Sequence, residues 1–103
     1  MNDGDFKRLE ELTVQWAKDR NLIDGSNKFA QWKKSLEELT ELLDAIQEND
    51  RDKAIDSIGD VIVTLIIQAQ FWTTDLTTSL FFAYNEIKDR KGKLIDGIFV
   101  KES

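Results

Sequence analysis

Of the nine carboxylates between positions 37 and 60, five are spaced so that they could share a site: Glu37, Glu38, Glu41, Asp56 and Asp60. On a helix, residues three or four apart are neighbours, so Glu37, Glu38 and Glu41 crowd one another and Asp56 sits beside Asp60. Asp60 also opens the run Val61–Ile67, which is apolar except for Thr64. Glutamates on a helix face are usually solvated and structural. A carboxylate on a buried helix is different, because it must be protonated, paired or bound to a cation. No Lys or Arg follows Glu37 or Glu38 at three or four residues, and Lys34 precedes Glu38 in the less favourable order. If the two segments face one another, up to five acids converge, and like charges then raise one another's pKa unless a cation compensates.

The chain has no His and no Cys. That excludes thiolate zinc sites, cysteine nucleophiles and imidazole triads, and leaves carboxylates, Lys, Tyr or water to move protons. Any metal must be held by oxygen, which favours Mg²⁺, Mn²⁺ or Ca²⁺, with Mg²⁺ the best fit. A carboxylate-held Mg²⁺ keeps positions for water and phosphate, which points to hydrolysis of a phosphate ester or phosphoanhydride. Lys88, Arg90, Lys91 and Lys93 form a basic cluster, with Asn85 one turn earlier. It reads equally as a helix C-terminus favoured by the dipole or as a grip on a polyphosphate. Trp16, Trp32, Phe81, Phe82 and Tyr84 are core residues by default, with one of them available to stack on a base.

Four helices are expected to position these groups. Residues 3–20 place Phe6, Leu9, Leu12 and Trp16 at helical spacing, with Asp3 or Asp5 as N-cap. After a turn at Asp24-Gly25-Ser26, a second helix capped by Ser26 or Asn27 runs to about Glu48. Its apolar residues Phe29, Trp32, Leu36, Leu39, Leu43 and Ile46 form a heptad-like seam of the kind that packs in bundles. A third helix, from about Asp52 to Phe71, is apolar nearly all round and so belongs in a core or a subunit interface. Its polar residues Asp56, Ser57, Asp60, Thr64 and Gln68 make one stripe. Gly59 lies mid-helix, a place compatible with close approach of a backbone or ligand. A fourth helix, capped by Thr73-Thr74-Asp75, has Leu76, Leu80, Ala83 or Tyr84, and Ile87 as its seam. It is expected to reach Lys91, with Gly92 at its C-terminal cap. Asp96-Gly97 between two apolar runs predicts a β-hairpin in the tail, about 92–103.

The 103 residues fit one domain, with a core that a small helical chain often completes by oligomerising. Hydrophobic residues at 41% and charged residues at 33% are a globular profile. The net charge of −6 disfavours nucleic acid and anionic membrane as partners. No apolar run approaches the roughly 20 residues that span a bilayer. The first residues lack signal-peptide character, and a cytoplasmic protein is the expectation.

Glu37-Glu38-x-x-Glu41, followed by Gly59-Asp60-Val61 at the head of an apolar helix, resembles the MazG-like all-α nucleoside triphosphate pyrophosphohydrolases. Gln31-x-x-Lys34 before the acids, and Tyr84-Asn85-Glu86-Ile87-Lys88-Asp89-Arg90-Lys91-Gly92-Lys93 at the end, are similar to the short single-domain phage and bacterial members. The resemblance runs from about Trp16 to Val100. It implies an all-α bundle of four main helices, assembled as a homodimer or homotetramer, and Mg²⁺-dependent conversion of an NTP or dNTP to the monophosphate and pyrophosphate. It further implies Glu38, Glu41 and Asp60 as metal ligands, and Glu37 as a further ligand or the group that positions water. Gln31, Lys34, Asn85, Lys88, Arg90 and Lys91 would face the substrate. One position departs: the family pattern puts Glu at position 57, where this chain has Ser57, and Asp56 is the nearest acid that can substitute. Phosphoribosyl-ATP pyrophosphohydrolase, which shares the helical acid pattern, is the second enzyme reading. A non-catalytic helical assembly or binding module is the reading from another class.

Overall fold

The computed structural model describes residues 5–102. Four helices follow in order: α1 (Phe6–Asp19), α2 (Lys28–Glu48), α3 (Arg51–Gln70) and α4 (Leu76–Ile87). A two-stranded antiparallel sheet, β1 (Gly92–Ile95) and β2 (Ile98–Lys101), closes the chain. The local signals set most of these boundaries. Asp5, Asn27, Asp50 and Asp75 are the N-caps, and each side chain accepts from a backbone N–H of the first turn. Asp3, the other cap weighed for α1, lies outside the described residues. Asn49 ends α2 in the left-handed conformation, at φ 53°.

α2 and α3 are the central pair. Their cross-helix partners run in opposite senses, Lys28 with Gln68 and Ser35 with Thr64, so the hairpin is antiparallel. The Gln68 amide donates to the Lys28 carbonyl at 2.9 Å, and the Ser35 and Thr64 hydroxyls are 2.7 Å apart and buried. The later part of α3's polar stripe therefore faces α2, where the Thr64 and Ser35 hydroxyls satisfy one another within the packed interface, while Asp56 at its start is exposed. Ile66, Ile67 and Ala69 of α3, with Ala17 and Ala45, form the buried apolar core.

The structure corrects five expectations. α1 does not bury Phe6, Leu9, Leu12 and Trp16, which all remain partly exposed; its buried residues are Glu10 and Ala17. The α2 seam is not covered by its own chain, with Phe29 at 77% and Ile46 at 65% exposure. α4 ends at Ile87, short of Lys91, and Leu80, Tyr84 and Ile87 of its seam are exposed. Gly92 belongs to β1: a Cβ there would meet the Val100 carbonyl and the Phe99 ring, so the hairpin's close approach claims the glycine. That hairpin turns through Asp96 and Gly97, at φ 51° and 79°, the positive values a two-residue turn requires. At Gly59 no atom outside its own local backbone lies within 4 Å of a would-be Cβ, so nothing among the described residues makes the close approach expected there.

Candidate metal centre and nucleotide pocket

The hairpin of α2 and α3 brings Glu38, Glu41 and Asp60 together. One carboxylate oxygen from each lies within 4.8 Å of the others. Adjacent oxygens on one hard divalent cation lie about 3–3.5 Å apart and opposite ones up to about 5 Å, so these three are close enough for small side-chain movements to draw them onto one ion. Glu38 is the innermost, at 8% exposure. Its Oε1 is 3.5 Å from the Lys34 ammonium, while its Oε2 is buried with no hydrogen-bond partner. A buried carboxylate oxygen without a donor is costly, and a cation at the cluster supplies what it lacks. The donor set of three carboxylates, without imidazole or thiolate, suits Mg²⁺, Mn²⁺ or Ca²⁺.

The electrostatics agree with the geometry. Burial pushes the Asp60 carboxyl above its ordinary value, and the charges of Asp56 and Glu38 push it further. Lys34 stands on the other side of the balance. Its ammonium is 3.1 Å from Glu37, which is the main cause of its raised pKa, and it spans to Glu38 as well.

Glu37 and Asp56 are outside the three-acid cluster: Glu37 turns to Lys34, and Asp56 is exposed on α3, near enough to perturb Asp60. Ser57 is buried. The antiparallel register that pairs Ser35 with Thr64 and Glu38 with Asp60 sets position 57 level with Glu41.

A cavity of about 380 Å³ opens beside the cluster, lined among others by Trp16, Leu22, Gln31, Lys34, Glu38, Asp60 and Ile67. It joins the acids to an apolar end. Gln31, buried, donates to the Ser26 hydroxyl at 3.1 Å. Trp16 comes from α1 and also lines a second cleft of about 380 Å³ that again includes Asp60. The Arg20 guanidinium sits 4.6 Å from the centre of the Trp16 ring. Of the other aromatics, Trp32 lines a separate apolar groove, Phe81 packs edge-on against Phe82, and Phe82 and Tyr84 are exposed on α4.

Of the expected substrate-facing residues, Gln31 and Lys34 reach this cavity. Asn85, Lys88, Arg90 and Lys91 do not line it. Arg90 and Lys91 line a different cleft with Glu86, Asp89, Lys101 and Glu102. One residue escaped the sequence reading altogether. Glu10, 3% exposed, accepts from the Leu76 backbone N–H at 2.6 Å and the Thr77 hydroxyl at 3.1 Å. It thereby ties α1, and with it Trp16, to the start of α4. The only sequence signal was an acid four residues after Phe6, on the side of the helix that Ala17 shares.

No helix among the described residues is long and apolar enough to cross a membrane. No solved structure matches the chain. An uncharacterized 18.2 kDa protein from the rep-hol intergenic region of Haemophilus phage HP1 is 39% identical over 67 residues, which is 65% of this chain. The chain spans about two fifths (41%) of that relative's length. The MazG nucleotide pyrophosphohydrolase domain matches residues 30–92, a stretch that holds α2 from its third residue onward, all of α3 and all of α4. With the matched domain covering more than half of its length and containing the whole carboxylate cluster, this chain belongs to the MazG nucleotide pyrophosphohydrolase family.

Proposed function

We propose that this chain is a Mg²⁺-dependent nucleoside triphosphate pyrophosphohydrolase, with Mn²⁺ able to replace Mg²⁺. It takes an NTP or dNTP and water to the nucleoside monophosphate and pyrophosphate, acting on the soluble nucleotides of the cytoplasm. The observation that carries the reading is the meeting of Glu38, Glu41 and Asp60 around the unpartnered Glu38 Oε2, at the edge of a cavity with an apolar end. These three carboxylates would hold the cation. Once bound, it supplies charge neutralisation at the phosphate oxygens and lowers the pKa of an adjacent water.

The remaining work belongs to the chain's own side chains. Trp16, Leu22 and Ile67 offer the base an apolar slot with an aromatic wall, while Gln31 presents an amide to its edge. Lys34 faces the phosphates. Glu37, exposed and outside the cluster with its carboxylate on Lys34, takes the proton of the attacking water as the phosphoanhydride bond breaks. Asn85, Lys88, Arg90 and Lys91 would meet the leaving pyrophosphate from a second copy of the chain. The uncovered α2 seam supports a homodimer or homotetramer, since it leaves six large apolar side chains facing water.

The test is pyrophosphate release from a panel of all NTPs and dNTPs with Mg²⁺ or Mn²⁺. At least one substrate is expected to turn over, with monophosphate as the second product. Glu41→Gln is expected to abolish turnover and the rise in Tm that Mg²⁺ gives the wild type. A wild type inert across the whole panel would sink the proposal.

A further inference from the structure

Lys34 is in an unusual position for a residue that serves phosphate. Its ammonium lies 3.1 Å from a Glu37 oxygen and 3.5 Å from Glu38 Oε1. It is also a wall residue of the cavity, between Gln31 and the acids. Glu38 is thus half-satisfied, with one oxygen on a lysine and the other buried without a partner. An ammonium on Glu38 answers the same deficit of positive charge that a divalent ion answers, and the two repel one another across a few ångströms. The lysine stem is flexible and half-exposed, so the ammonium can leave without unpacking anything.

Resting on the reading of Glu38, Glu41 and Asp60 as a divalent-cation seat, we propose that Lys34 is the resident counter-ion of the metal-free site. A divalent cation displaces it from Glu38, and the released ammonium turns across the cavity to substrate phosphate. Two consequences follow. The lysine lowers the affinity for metal alone, because the cation must overcome a positive charge already in place. Phosphate then removes that opposition by drawing the ammonium away, so metal and phosphate bind with positive coupling, each raising the other's affinity by the same factor. The site is thereby kept from filling fully until substrate is present.

The experiment is a Mn²⁺ titration of full-length wild type, Lys34→Gln and Lys34→Arg, with free Mn²⁺ followed by its paramagnetic resonance signal. A second titration uses inorganic pyrophosphate at saturating Mg²⁺, which presents the phosphate chemistry without a base. Lys34→Gln is expected to bind Mn²⁺ about three- to tenfold more tightly than wild type, as removal of one partly screened positive charge predicts. The same variant is expected to bind Mg²⁺-pyrophosphate more weakly, by about fivefold or more. Lys34→Arg, which keeps the charge, is expected to bind Mn²⁺ as wild type does. A merely structural lysine would weaken both ligands or neither. Unchanged or weaker Mn²⁺ binding in Lys34→Gln, with the wild type binding Mn²⁺, overturns the counter-ion role and leaves the metal seat standing. Absence of Mn²⁺ binding in the wild type overturns both.

Discussion

Asp60 carries the conflict of the site in one side chain. Burial and the neighbouring charges of Asp56 and Glu38 raise its pKa above the ordinary 3.8. The sign for stability follows. A carboxyl whose folded pKa exceeds its unfolded value binds more protons when folded, so stability falls as pH rises from 3.8 through the raised value. Above that window the penalty is fully present. Asp60→Asn removes it and is therefore expected to raise the Tm of EDTA-treated protein at about pH 7 and to flatten the decline from about pH 4 upward. The same variant should lose the Mg²⁺-dependent rise, and thermal melts with and without metal check both halves. Ser57 poses the converse case. It is buried, level with Glu41, where the family pattern has Glu. Ser57→Glu is expected to lower the Tm of the metal-free protein by adding a fourth acid, and to give a larger Mg²⁺-induced rise than wild type. If Mg²⁺ leaves the variant's deficit unchanged, position 57 does not address the cluster.

At the scale of elements, α2 and α3 are fixed to one another through buried hydroxyls and apolar contacts, whereas α1 depends on fewer ties. Glu10 is the most specific of these. Its carboxylate takes the Leu76 N–H and the Thr77 hydroxyl at the positive end of α4, where Asp75 already caps the helix. Glu10→Ala leaves a part-buried N–H and the Thr77 hydroxyl without their acceptor and is expected to cost roughly 1–2 kcal/mol, read from urea unfolding. Glu10→Gln keeps an acceptor oxygen and should recover much of that loss. Because α1 brings Trp16 to the cavity, Glu10→Ala is also expected to increase the accessibility of Trp16 to acrylamide in a background without Trp32 and Trp72.

For the whole molecule, the outstanding feature is the apolar face shared by α2 and α3. Phe29, Trp32, Leu36 and Leu39 of α2 line a groove of about 740 Å³ with Leu65 of α3 and Trp72 just beyond its end. A soluble monomer rarely leaves such a face to water. The 3-4-3-4-3 spacing of the α2 seam is the one by which helices interlock, and the proposed cover for it is the same seam of a second copy. Wild type is expected to run as a dimer or larger in light scattering, and Leu39→Lys to run as a monomer of lower Tm. A wild type that stays monomeric at micromolar concentration would leave Lys88, Arg90 and Lys91, which follow α4, without a route to the acids.

The sequence alone determined what is local. Cap residues such as Asn27 and Asp75, and the Asp96-Gly97 turn, act over a few residues, and so those helix starts and the hairpin were legible from them. The i, i+3 and i, i+4 spacing likewise put Glu38 beside Glu41, and the lack of His and Cys narrowed the chemistry to oxygen ligands. Periodicity says which residues share a face, and not which neighbour covers that face. Only the tertiary structure decided that α1 turns Glu10 inward and leaves Leu9 and Leu12 partly exposed, and that the heptad seam of α2 looks outward. It also decided that Asp60 meets Glu38 and Glu41 while Asp56 stays at the surface, because the antiparallel register of α2 on α3 sets which turns lie level. The separation of Arg90 and Lys91 from the acids is of the same kind: charge composition grouped them, and the path of the chain after Ile87 placed them in another cleft.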